Sequence, residues 1–148
     1  MRDAFGGVTN LVIIVVFLAL VSGYLAFNVN YTKAFRVKNK IISTFEQYEG
    51  QCNASQRGPN TCNGEIIEYM KSIGYSANSF NITDYTCHDG YCYRKIIVTD
   101  PDSDEGEKAY FKVVTQINID IPIINKILPG LKIFQVSGDT KPIITGWW

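Results

Sequence analysis

An α+β fold, with one long N-terminal helix packed by a small antiparallel β-sheet head carrying disulfides, is predicted by three observations. Residues 11–27 (LVIIVVFLALVSGYLAF) contain no charge. Beyond them an apolar stripe continues at helical spacing, and neither Gly nor Pro occurs between Tyr24 and Glu49. The rest of the chain carries two close cysteine pairs and several stretches that alternate as strands do. Together these divide the 148 residues into a short leader or N-terminal tail (1–7), a spine helix (8–49) and a globular head (50–148).

The helix has two halves. With Val8, Thr9 and Val29 the uncharged run reaches the roughly 20 apolar residues that a helix needs to cross a bilayer. Residues 8–29 are therefore read as a transmembrane half; only a helix carries such a segment alone, because lipid offers backbone groups no partners. A secretory signal would be shorter and followed by a small-residue cleavage site, and residues 28–31 (NVNY) supply none. Past Phe27 the pattern turns amphipathic. Tyr31, Phe35, Ile42, Phe45 and Tyr48 mark the apolar side, widened by Ala34, Val37 and Ile41, with Lys33, Arg36, Lys38, Lys40 and Glu46 opposite. Gly50 stands where a helix stop is expected. A helix over 8–49 would be roughly 60 Å long.

In the head, residues 51–61 (QCNASQRGPNT) form a polar loop, and Asn63 is expected to cap a short helix over 64–73 that Gly74 ends. Asp89-Gly90 predicts a tight turn between Cys87 and Cys92. Strands are expected over 91–99, 108–121 and 131–136. In the second, Phe111, Val113, Thr115, Ile117 and Ile119 alternate with Lys112, Gln116, Asn118 and Asp120. Residues 121–129 (IPIINKILP) read as a bend or helical turn, Ser137-Gly138-Asp139 as the break that ends the last strand, and the chain closes on Trp147-Trp148.

Fourteen basic residues balance fourteen acidic ones, so no field favours nucleic acid. The abundant Tyr and Phe then read as core and interface residues. Four cysteines in a small tethered head imply two disulfides formed outside the cytoplasm, nearest neighbours pairing as Cys52–Cys62 and Cys87–Cys92 among three connectivities. By the positive-inside rule, Lys33, Arg36, Lys38 and Lys40 would instead hold the head in the cytoplasm. The cysteines decide for an extracytoplasmic head, because those cations lie on a helix whose other face is apolar.

Chemistry finds little footing. The lone histidine, His88, reads as a solvated turn residue, and no phosphate loop, H-E-x-x-H or G-x-S-x-G occurs, so no enzymatic activity and no cofactor is expected. Asp100, Asp102 and Asp104 have the spacing that opens an EF-hand loop, but Gly106 is one place late and Phe111 stands where a bidentate Glu is required; they are at most a weak calcium site and read first as a hairpin tip. Asn30-Tyr31-Thr32, Asn53-Ala54-Ser55 and Asn81-Ile82-Thr83 match the N-glycosylation pattern.

This order of parts resembles a type IV pilin-like subunit. Gly7-Val8-Thr9-Asn10 before the apolar run is similar to the start of TadE-like (tight-adherence) pseudopilins, and the stretch from Ile121 through Val136-Ser137-Gly138-Asp139-Thr140-Lys141 is similar to the tail of pilin-like proteins. The resemblance implies a leader cut by a prepilin peptidase near Gly6 or Gly7 and helix-to-helix assembly into a homo-oligomer by a pilus assembly machinery. That family carries Glu where Asn10 stands, a side chain paired with the amino terminus of a neighbouring subunit; Asn10 offers hydrogen bonds without the charge. Ser22 and Gly23 are small enough for close helix approach. The expected function is a structural filament or pseudopilus subunit, held in a membrane before assembly. The alternative is a single-pass accessory protein of an envelope complex whose head binds a partner.

Overall fold

The computed structural model describes residues 2–53, 58–75, 80–98, 107–118 and 133–144. A long helix leads into a head in which a second helix and an antiparallel sheet cover its C-terminal half. The elements are α1 (Arg2–Gln47), α2 (Cys62–Ser72), β1 (Thr86–His88), β2 (Tyr91–Ile97), β3 (Lys108–Asn118), β4 (Ile133–Asp139) and β5 (Ile143–Ile144).

The spine is a single helix of 46 residues, roughly 70 Å long. It begins earlier than the expected Val8 and passes through Gly6 and Gly7 without a break. Two glycines cost a helix about 2 kcal/mol relative to alanine, which weakens this end without forbidding it. At the other end, Gly50 N–H donates to Phe45 O at 2.8 Å and Glu49 N–H to Glu46 O at 3.4 Å. This is a Schellman closure, but the left-handed residue it requires is Glu49 (φ 51), with Gly50 (φ 80) following.

The expected stripe is rotated. Ala34, Val37, Ile41, Thr44 and Phe45 are fully buried, whereas Tyr31 and Phe35 remain 44% and 42% exposed. Ala34 and Val37 face the head in place of the larger Tyr31 and Phe35 because the sheet lies close to the helix there. Gly138 marks this approach: a Cβ on it would sit 2.9 Å from Ile42 Cδ1 and 3.0 Å from Lys38 Cδ. Strand β4 therefore runs through Ser137, Gly138 and Asp139, past its expected end at Val136. Thr115 Oγ1 donates to the Ala34 carbonyl at 3.3 Å, and Phe45 packs on Tyr93 and Phe111 with ring centroids 4.9 and 5.2 Å apart.

The sheet has the order β1-β2-β3-β4, with β5 pairing the start of β3. All pairings are antiparallel, with Tyr91 opposite Thr115 and Thr115 opposite Val136. The alternation expected in β3 holds for Phe111, Val113, Thr115 and Ile117, all buried toward α1. Gln116, expected on the open face, is buried too. Tyr75 reaches it: the phenol donates to Gln116 O at 2.6 Å and accepts from Gln116 N–H at 3.1 Å, filling the ladder just beyond the start of β2. Burial raises this phenol to about 12.

Helix α2 starts two residues before the expected Gly64. Its N-cap is Thr61 and not Asn63; Thr61 Oγ1 accepts from Gly64 N–H at 3.2 Å. Asn63 is instead buried and accepts from Tyr91 O–H at 3.0 Å. The helix closes with the same Schellman pattern as α1, here with Gly74 (φ 61) at the left-handed position and Tyr75 N–H donating to Met70 O at 2.9 Å. Both disulfides are as expected. Cys52–Cys62 ties the end of α1 to the start of α2, and Cys87–Cys92 joins residues directly opposite each other in the β1–β2 hairpin. Gly90 (φ 96) makes the turn between them.

Candidate functional site

The N-terminal half of α1 is the largest unpartnered surface among the described residues. Fourteen large apolar side chains between Val8 and Val29 are 39–69% exposed. At even about 1 kcal/mol each, leaving them in water would forfeit more than 10 kcal/mol, as much as a whole domain's stability. This helix is long and apolar enough to cross a membrane.

Two hydroxyls of α1 bond back to the helix's own backbone. Ser22 Oγ donates to Leu18 O at 2.7 Å and Thr32 Oγ1 to Asn28 O at 2.8 Å, so neither hydroxyl needs an outside partner. Of the residues expected to mediate helix assembly, Asn10 and Ser22 are exposed and Gly23 is buried. They do not share one face. At 3.6 residues per turn Ser22 lies about 120° around the helix from Asn10, while Gly23 falls within about 20° of Ala34, above the side that the head covers. Gly6 and Gly7, the expected processing positions, are exposed and helical, and nothing lies within 4 Å of a Cβ placed on either.

Where the apolar half meets the head, aromatic residues recur at four-residue spacing. Phe27 stacks on Tyr31 and Tyr31 on Phe35, with centroids 6.1 and 6.4 Å apart, and Phe134 of β4 meets Phe27 edge-on at 5.7 Å. The spacing was visible in the sequence; the joining of Phe134 was not, because it depends on the β3–β4 register. The cations that follow the run engage the head and its own helix. Lys40 pairs with Glu65 at 3.5 Å, Lys38 Nζ sits 4.2 Å over the Phe35 ring, and Lys33 Nζ donates to Gly74 O at 3.5 Å.

The head holds a pocket of about 570 Å³ between α2 and the β1–β2 turn, lined among others by Pro59, Ile67, Met70, Lys71, Tyr75 and Asp89. Its lining mixes apolar side chains with two acidic residues, Glu68 and Asp89, and one basic residue, Lys71. His88 lies beside this turn and is not a solvated residue: its ring meets Tyr91 and Tyr93, each 5.5 Å away between centroids. Nε2 is buried without a hydrogen-bond partner among the described residues. Burial lowers the imidazole pKa, and the Asp89 carboxylate opposes part of that shift.

No group of three or more His, Cys, Asp or Glu side chains suited to a metal occurs among the described residues. The weak calcium candidates Asp100, Asp102 and Asp104 lie outside the described residues, as do residues 121–129 and Trp147-Trp148. Of the glycosylation matches, Asn30 is half-buried on α1, whereas Asn53 and Asn81 are exposed. Comparison with protein-family models, with curated proteins and with solved structures returned no match.

Proposed function

We propose that this chain is a structural, pilin-like subunit of an extracellular filament or secretion pseudopilus, assembling through its N-terminal helix. The observation that carries the reading is one unbroken helix with two surfaces: an N-terminal half exposed and apolar around most of its circumference, and a C-terminal half buried along one face against a cross-linked head. A bilayer satisfies the first half before assembly, and the first halves of neighbouring copies satisfy it afterwards. The two disulfides support a head outside the cytoplasm. The exposed Gly6-Gly7 pair supports processing at that place, since a helix weakened by two glycines opens most readily where a peptidase must bind an extended chain. Asn10, in place of the acidic residue of TadE-like proteins, would align neighbouring copies through hydrogen bonds without a charge pair.

A single-pass accessory protein of an envelope complex uses the same helix only as an anchor. The pocket beside α2 is the feature that favours it, as a place for a partner to bind. Mass spectrometry of the chain recovered from assembled surface material separates the two. A mature N-terminus created near Gly6 or Gly7 supports the filament subunit. An intact Met1, in a chain found only in the membrane fraction, contradicts it.

A further inference from the structure

A groove of about 490 Å³ lies where the apolar half of α1 meets the end of α2. It is graded along its length. Leu25 and Val29, 58% and 55% exposed, form one end with Asn28 between them; Ile73 of the α2 cap closes a side; Thr32, Lys33 and Arg36 form the other end. Among the described residues no carboxylate lines it. Lys40, one turn beyond Arg36, is already paired with Glu65, but among the described residues Arg36 makes no ion pair, and Lys33 holds only its 3.5 Å bond to the Gly74 carbonyl.

The heights match a bilayer edge. If Val29 ends the hydrocarbon segment, Lys33 and Arg36 lie about 6 and 10 Å further along the axis. The headgroup layer is roughly 5–8 Å deep on each side, and helical side chains lean toward the helix N-terminus, which here is toward the membrane. Both cations therefore reach headgroup level with their stems against apolar surface.

We propose that this groove holds one anionic phospholipid of the leaflet facing the head. Its phosphate sits between the Arg36 guanidinium, whose planar fork suits two phosphate oxygens, and the Lys33 ammonium, which has two protons beyond the one given to Gly74. An acyl chain runs along Leu25 and Val29 and against Ile73. The lipid thereby bridges the membrane-crossing half of α1 to the cap of α2. This inference rests on the membrane reading given above.

The test uses the full chain in dodecyl maltoside micelles, titrated with dioctanoyl phosphatidylglycerol and followed by thermophoresis. Binding is expected to saturate, and to be at least tenfold tighter than that of dioctanoyl phosphatidylcholine. Replacing both Lys33→Gln and Arg36→Gln should weaken it about thirtyfold, and Arg36→Gln alone about fivefold. Arg36 is exposed and outside the core, so the single variant keeps the test independent of folding. Lys112→Gln, on the outer face of β3, should change nothing. Equal affinity for the two lipids, or parent-like binding by the double variant, overturns the proposal. So does glycerol 3-phosphate binding as tightly as the lipid, which would make this a site for a free anion. Flotation with phosphatidylcholine vesicles tests the reading beneath it: a chain that floats but shows no preference for the anionic lipid loses the groove alone, and one that does not float loses both.

Discussion

Glu49 carries a conformation that its side chain does not favour. The Schellman closure of α1 needs a left-handed residue, and α2 meets the same need with Gly74. Glu49→Gly removes a left-handed cost of about 1–2 kcal/mol and adds back part of it as chain entropy, so it should stabilise the fold by about 0.5–1 kcal/mol. Gly50→Ala should act in the opposite direction. It places a Cβ 2.5 Å from the Phe111 ring at φ 80, where about 2–3 kcal/mol of strain and displaced packing is expected. Urea midpoints of the two variants against the parent check both signs, and equal shifts in one direction would contradict the closure described.

His88 gives a pH dependence. Its folded pKa lies below the ordinary value of 6.5, because burial disfavours the imidazolium. In the window between those two values the unfolded chain binds more protons than the folded one. The stability held by neutral His88 is therefore complete above about pH 6.5 and is lost as the pH falls through the folded value. The urea midpoint should drop more steeply between about pH 7 and about pH 5 for the parent than for His88→Gln. Parallel slopes would show that the ring is not held neutral.

The spine was legible as an element because a charge-free run and an unbroken helical period are strong signals. Its buried face was harder to read. Large residues such as Tyr31 and Phe35 drew the stripe toward themselves, while close approach of the sheet selected Ala34, Val37 and Ile41. Strand β3 announced itself by alternation, but β1 and β5, three and two residues long, are too short to carry a period. The cap of α2 was misplaced because Thr61 and Asn63 are both good capping residues, and only the Gly64 N–H direction chooses between them. The groove beside Ile73 was illegible because it joins residues of two elements, such as Lys33 and Gly74, that lie 41 positions apart in the chain.

The disulfides belong to these elements as well. Cys52–Cys62 spans ten residues and Cys87–Cys92 five, for which loop entropy gives about 3 and about 2 kcal/mol. Replacing each pair by serine should destabilise the chain in that order, read from urea midpoints. Alkylation without prior reduction should label none of the four cysteines, and labelling of all four would place the head in a reducing compartment.

For the molecule as a whole, the enclosed head and the exposed apolar half of α1 make opposite demands on solvent. The head folds around Ile41, Phe45, Tyr91 and Phe111, all of them buried. The other half needs an apolar environment. In the filament proposed above, neighbouring helices would supply it without changing the helix, so assembly would need no refolding of the head. Immunogold electron microscopy of fibres sheared from the cell surface, with antibody against the head, tests this most directly. Regular labelling along fibres whose core excludes the antibody is the predicted result. Fibres without label, while the chain stays in the membrane fraction, would contradict it.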